Sequence, residues 1–133
     1  MDVAALITWV LTAGGGFVLL VLWLRNGGMR QNESGRIRPA IILTHFALAA
    51  VGLVLWIVYV ANDSGTLAWV AFVLLAVVAV IGFAMLGIWL SQRQRREVAA
   101  AEQRFPVPVV GLHGLLAATT LVLAFLAAAG IGS

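Results

Sequence analysis

The stretch Pro39-Ala40-Ile41-Ile42-Leu43-Thr44-His45-Phe46-Ala47-Leu48-Ala49-Ala50-Val51-Gly52-Leu53-Val54-Leu55-Trp56-Ile57-Val58-Tyr59-Val60-Ala61 runs between Arg38 and Asn62-Asp63 without one formally charged residue. It is far longer than a strand, and a helix of about 20 apolar residues crosses a bilayer. Working outward, three more runs have the same character: Ala4–Leu24, Leu67–Leu90 and Pro106–Ile131. The whole chain is 63% hydrophobic and 10% charged, where a soluble domain carries about 25% charged residues. That much apolar surface needs a lipid solvent. The expectation is an all-α, integral membrane, up-down four-helix bundle, with residues 1–133 forming one transmembrane domain and no separate soluble part.

The charges orient it. All 8 basic residues are arginines. Arg25, Arg30, Arg36 and Arg38 fall in the first connection, and Arg93, Arg95, Arg96 and Arg104 in the third. The middle connection, Asn62-Asp63-Ser64-Gly65-Thr66, has none, nor do the two ends of the chain. Basic loops stay cytoplasmic, so both arginine connections are expected inside and both termini outside. Used this way, the net charge of +3 reads as a topology signal and not as a nucleic-acid footprint. Asp2 is the only early charge, whereas a cleaved signal peptide starts with a positive region; the first run therefore reads as a true helix. Arginine without lysine, with abundant Ala, Val and Gly, fits the coding bias of a GC-rich bacterium, and hence an inner membrane. Trp9, Trp56, Tyr59 and Trp69 fall near outer helix ends and Trp23 and Trp89 near inner ends, as in an interfacial aromatic belt.

The chain also repeats itself. Gly16-Phe17-x-x-Leu20-x-x-Trp23-Leu24 matches Gly82-Phe83-x-x-Leu86-x-x-Trp89-Leu90, 66 residues on. His45-x-x-Leu48-Ala49-Ala50-x-x-Leu53-Val54-Leu55 matches His113-x-x-Leu116-Ala117-Ala118-x-x-Leu121-Val122-Leu123, 68 residues on. Matches of Leu, Ala and Val are cheap in this composition; matched Gly-Phe, Trp and His are not. Two tandem helical hairpins related by a two-fold axis along the membrane normal are expected.

The only 2 histidines both lie inside spans, where an ionisable residue is a functional-site hypothesis by default. Each sits about 10 Å above the cytoplasmic boundary by helical rise, on parallel helices, at matched repeat positions. In an up-down bundle the second and fourth helices are diagonal, with axes about 14 Å apart given neighbours at about 8–10 Å. That gap is wide for a shared small ion and suits a planar macrocycle with one imidazole on each face. Gly16 and Gly82 fall at the same depth on the other diagonal, where a ring edge would pass, with Gly14 and Gly15 widening the gap. Ala49, Gly52, Ala117 and Thr120 keep the next turns small. Arg25, Arg38 and Arg104 are near enough to the helix ends to pair with haem propionates, as arginine pairs with carboxylates.

This arrangement resembles the four-helix haem-binding core of membrane b-type cytochromes, including cytochrome b and the b561-like proteins. The resemblance covers nearly the whole chain as a pattern of positions. It implies one haem b with His45 and His113 as axial ligands, Gly16 and Gly82 as clearance, and electron transfer with a quinone or a respiratory partner. The dihaem members carry two histidine pairs, one towards each face; this chain has only the cytoplasmic pair.

Other readings of the residues stay open: a haem carrier or sensor, histidines that ligate another metal, or a cofactor-free structural or assembly subunit in which they are hydrogen-bonded. No nucleophile–base pairing, HExxH or phosphate loop is present, which leaves hydrolysis and phosphoryl transfer without machinery. The lack of Asp, Glu, Lys and Arg within the spans argues against a proton-coupled exporter. Without cysteine there are no disulfides and no thiolate-attached haem. Thr8, Thr12, Thr44, Thr119 and Thr120 are expected to bond to backbone. The topology has a direct check: with cysteine placed at position 64, a membrane-impermeant thiol reagent should label intact cells from outside. Labelling from the cytoplasmic side alone overturns it.

Overall fold

A computed structural model describes residues 1–30, 37–95 and 100–132. Arg36 and Arg96, counted above among the arginines, lie outside them. The described residues form four long helices, α1 (Asp2–Arg25), α2 (Pro39–Asn62), α3 (Gly65–Gln94) and α4 (Val107–Ala128), with short 3-10 turns at Gly28–Arg30 and Ala101–Arg104. Each long helix is long and apolar enough to cross a membrane.

Local chemistry sets the ends. Pro39 opens α2 in its first turn, where a missing N–H costs little. Asp63 closes that helix in the left-handed conformation, φ 52°, with its N–H on the Tyr59 carbonyl at 2.7 Å, so α3 begins almost at once. At the end of α4, Gly130 (φ +70°) donates to Ala127 O and Ile131 to Leu126 O, at 3.0 and 2.8 Å. This Schellman closure stops the helix at Ala128, short of the expected Ile131. α3 instead runs a turn past Leu90, because Gln92 is buried and hydrogen-bonded there.

The helices form a ring in which α1 packs on α4 and α2, and α3 on α2 and α4. The tightest pairs are α1–α4 and α2–α3. These lie between the two repeats, not within either hairpin, and the repeat's own symmetry exchanges them. The hairpin is therefore the unit of sequence, while close packing joins the first helix of one copy to the second helix of the other.

At the end away from the arginines the core is Ala5, Trp9, Trp56, Tyr59, Ala68, Ala71, Leu75, Ala124 and Ala127. Trp9 and Trp56 have ring centroids 5.9 Å apart, and Trp56 and Tyr59 4.9 Å. Bulk in one copy meets smallness in the other, since Trp56 and Tyr59 correspond to Ala124 and Ala127. The Trp56 indole N–H donates to the Asp2 carbonyl at 3.1 Å, tying down the start of α1. The aromatic-belt expectation is thus corrected: Trp9, Trp23, Trp56, Tyr59 and Trp89 point inward and are buried, and only Trp69, 42% exposed, faces out.

The arginine end is closed by a polar knot. Glu102 is fully buried; one carboxylate oxygen accepts from the Ile37 N–H at 3.0 Å and from Gln92 Nε2 at 2.8 Å. Trp89 Nε1 donates to the Glu102 carbonyl at 2.9 Å, and Gln103 Nε2 to Gln92 Oε1 at 2.8 Å. One side chain thereby joins the start of α2 to the end of α3 and to the connection before α4. Trp56→Ala should cost about 3–5 kcal/mol, the range for a large buried aromatic, in unfolding by sodium dodecyl sulfate from mixed micelles. Trp69→Ala should cost about 1 kcal/mol or less; equal costs would contradict the inward placement of Trp56.

Candidate functional site

Inside each helix the backbone satisfies itself, so the polar chemistry of the bundle interior rests on a few side chains. His45 enters from α2 and His113 from α4, across one diagonal, with ring centroids 6.4 Å apart and planes at 70°. Both are partly buried.

Each imidazole rests on a glycine of the helix to which its own is closely packed. A Cβ at Gly16 would lie 2.9 Å from His113 Cε1, and one at Gly82 3.0 Å from His45 Cε1. Real Cβ atoms essentially never come closer than 3.0 Å. The matched glycines are therefore the places where an imidazole lies against bare helix backbone, a role the clearance expectation did not include. Gly15 adds a looser contact with His113 Cβ at 3.7 Å, while Gly14 faces open space and widens nothing.

The His113 ring is further fixed by a hydrogen bond of its Nδ1 with the Thr12 carbonyl, 2.9 Å. A carbonyl can only accept, so Nδ1 carries the proton and Nε2 keeps its lone pair. Metal-bound histidines are oriented in this way. Thr12 is itself held: its hydroxyl bonds the Thr8 carbonyl at 2.7 Å and lies 3.3 Å from the Thr120 hydroxyl, which bonds the Leu116 carbonyl at 2.7 Å. The intrahelical threonine bonds were expected; the pairing across α1 and α4 and the use of the Thr12 carbonyl were not, because nothing in a sequence shows which carbonyl an imidazole will meet. His45 Nδ1 turns to the backbone of Val78, the repeat counterpart of Thr12, without closing a hydrogen bond.

The structure thus gathers His45, His113, Gly16 and Gly82 into one site. Arg25, Arg38 and Arg104 are exposed at the arginine end, and Arg25 is about 13 Å below Gly16 by helical rise. Between the two levels stand the buried rings of Trp23 and Trp89. On the other side, Gly52 receives Trp9, whose Cζ2 would lie 3.0 Å from a Cβ there, so the small residues above His45 leave no free space. Among the described residues no group of three or more His, Cys, Asp or Glu could hold a metal ion; what the site offers is two imidazole rings in an apolar surround. Known protein families, curated proteins and solved structures give no match to the chain.

A methyl at either glycine should displace the ring it supports. Overpacking of this kind costs about 1–3 kcal/mol, which is about fivefold to a hundredfold in affinity. If the imidazole pair binds haem, Gly16→Ala and Gly82→Ala should each lower haem uptake on reconstitution by that factor. Gly87→Ala, which meets nothing within 4 Å, should not. Unchanged uptake in both would separate the glycines from the histidines.

Proposed function

We propose that this chain is a membrane-embedded b-type cytochrome that holds one haem b between His45 and His113 and passes electrons to or from a quinone or a respiratory partner. The observation that carries the reading is the spacing of the imidazoles. With metal–nitrogen bonds of about 2.0 Å and about 1.1 Å from nitrogen to ring centre, two rings on opposite faces of one metal have centres about 6.2 Å apart; the observed separation is 6.4 Å. The 70° between planes is compatible with axial ligation, which leaves each ring its own rotation about the metal–nitrogen axis. Two imidazoles, with no third His, Cys, Asp or Glu beside them among the described residues, suit a macrocycle that brings its own four nitrogens, and not a tetrahedral ion.

Bound there, the haem would supply a one-electron iron couple. The chain's own residues do the rest. His45 and His113 donate from Nε2, the Thr12 carbonyl orients His113, and Gly16 and Gly82 let both rings reach inward. The packed Trp9, Trp56 and Tyr59 occupy the half of the bundle where a dihaem cytochrome keeps its second pair, which supports a single redox centre near the arginine end. With the arginine loops taken as cytoplasmic, that end faces the cytoplasm of a bacterial inner membrane. Arg25, Arg38 and Arg104 are the cations nearest the propionates in this reading.

The purified protein, supplied with haem, should show a sharp Soret band and split α and β bands after dithionite. His45→Ala and His113→Ala should each lose the low-spin spectrum. Replacing Arg25, Arg38 or Arg104 by Gln should lower the reduction potential by about 55–70 mV, the effect of one charge about 10–13 Å away at an effective dielectric near 20, without loss of haem. Fast re-oxidation by a quinone analogue favours the electron-transfer role over a haem carrier or sensor. A wild-type protein that takes up no haem, or a low-spin spectrum unchanged in both histidine variants, ends the proposal.

A further inference from the structure

The two halves of the site are related by the repeat, yet they are not equal. His113 closes a 2.9 Å hydrogen bond with the Thr12 carbonyl; the buried His45 Nδ1 faces the Val78 backbone at a longer, weaker approach. The difference is written in two pairs of residues. On the α1–α4 side, Thr12 and Thr120 bring their hydroxyls within 3.3 Å, a clasp on the helix that carries the accepting carbonyl. Their repeat counterparts are Val78 on α3 and Gly52 on α2, and neither side chain can hydrogen-bond. Gly52 is further committed, because Trp9 fills its place. The α2–α3 contact is the looser of the two matched interfaces, and its imidazole misses the carbonyl that its twin reaches.

Resting on the haem reading above, we propose that His113 is the fixed axial ligand and His45 the exchangeable one, whose place on the iron a small neutral diatomic molecule such as carbon monoxide takes. A metal-bound histidine that lacks its outer hydrogen bond is less basic and less well oriented, and such losses cost about 10–100-fold in metal affinity. His45 also carries the cost of a buried donor without a closed bond, which it relieves by swinging away. The exchange breaks the iron–Nε2 bond to His45 and forms one iron–ligand bond in its place; His45 leaves as neutral imidazole, and no electron or proton moves. The ligand class follows from the surroundings. The spans around the histidines contain no Lys, Arg, Asp or Glu, so an anion entering there would be buried unpaired, whereas an uncharged diatomic dissolves in the hydrocarbon.

The test uses the haem-loaded full-length protein in detergent, reduced with dithionite and titrated with carbon monoxide. Wild type should convert to the carbonyl spectrum under saturating gas, and oxidised protein should take up cyanide at least about tenfold more weakly than the His45→Ala variant. His45→Ala should keep its haem, turn high-spin, and bind carbon monoxide at least about tenfold more tightly than wild type. His113→Ala should keep about a tenth or less of the haem retained by His45→Ala. Thr120→Val, which leaves both histidines in place, should speed transfer of haem to apomyoglobin by about tenfold. Thr119→Val, whose hydroxyl only bonds its own helix at the Leu115 carbonyl, should not. Equal or reversed haem retention in the two histidine variants, no reaction of the wild type with carbon monoxide, or no effect of Thr120→Val overturns the inference and leaves the haem reading intact. Wild type that binds no haem overturns that reading instead.

Discussion

The contact on which this structure depends is an imidazole lying on a helix backbone with no side chain between them. His113 lies on Gly16 closer than a methyl would allow, and His45 lies on Gly82 at the limit of what one would allow. In a bilayer, apolar side chains gain nothing by leaving lipid for protein, so helices associate through close packing and interhelical hydrogen bonds. A glycine gives both: it lets the neighbouring helix approach, and it lets a long polar side chain lie flat and reach a carbonyl above it. The tight pairs α1–α4 and α2–α3 are the pairs joined in this way. A bundle whose helices are apolar on all sides takes its arrangement from these few points.

The repeat explains both the likeness of the two sites and their divergence. At the level of the histidines the copies agree residue for residue in what matters: glycine, histidine, and a tryptophan nearer the arginine end. Above that level they part. One copy places Trp56 and Tyr59 where the other has Ala124 and Ala127, and one places Thr12 and Thr120 where the other has Val78 and Gly52. The first difference is complementary in volume and fills one half of the bundle with aromatic rings. The second moves a hydrogen bond from one side of the site to the other.

How much of this could be read beforehand follows from what a lipid solvent leaves in the sequence. The four long apolar helices, their ends near Pro39 and Pro106, the diagonal histidines and the matched glycines were legible, because hydropathy length and rare residues in a uniform background carry those facts. The facing of the tryptophans was not. In a soluble helix a polar stripe marks the outside, but α1 to α4 have no such stripe, so depth along the helix could be read and rotation about it could not. Trp56 therefore passed for an interfacial anchor when it is fully buried. Glu102 escaped for another reason. It sits in a charged connection, where a carboxylate is ordinarily solvated, and only the folded chain shows Ile37 and Gln92 converging on it. Gly14 shows the converse: it neighbours Gly15 and Gly16 in sequence but points away from the site.

Burial of both ends of the bundle bears on how the interior can hold charge. The aromatic packing at one end and the Glu102 knot at the other leave the imidazoles in a volume that has no ionisable partner for them among the spans. Adding a unit charge to such a volume is costly unless a counter-charge arrives or already stands nearby. The described arginines, Arg25, Arg30, Arg38, Arg93, Arg95 and Arg104, supply standing positive charge at one end only. Their field falls off over about 10 Å in salt outside the membrane but is little screened across the apolar interior. An electron held between His45 and His113 would be stabilised from that end, and a proton held there would be opposed. The same geometry opposes added positive charge at the pair and favours added negative charge there.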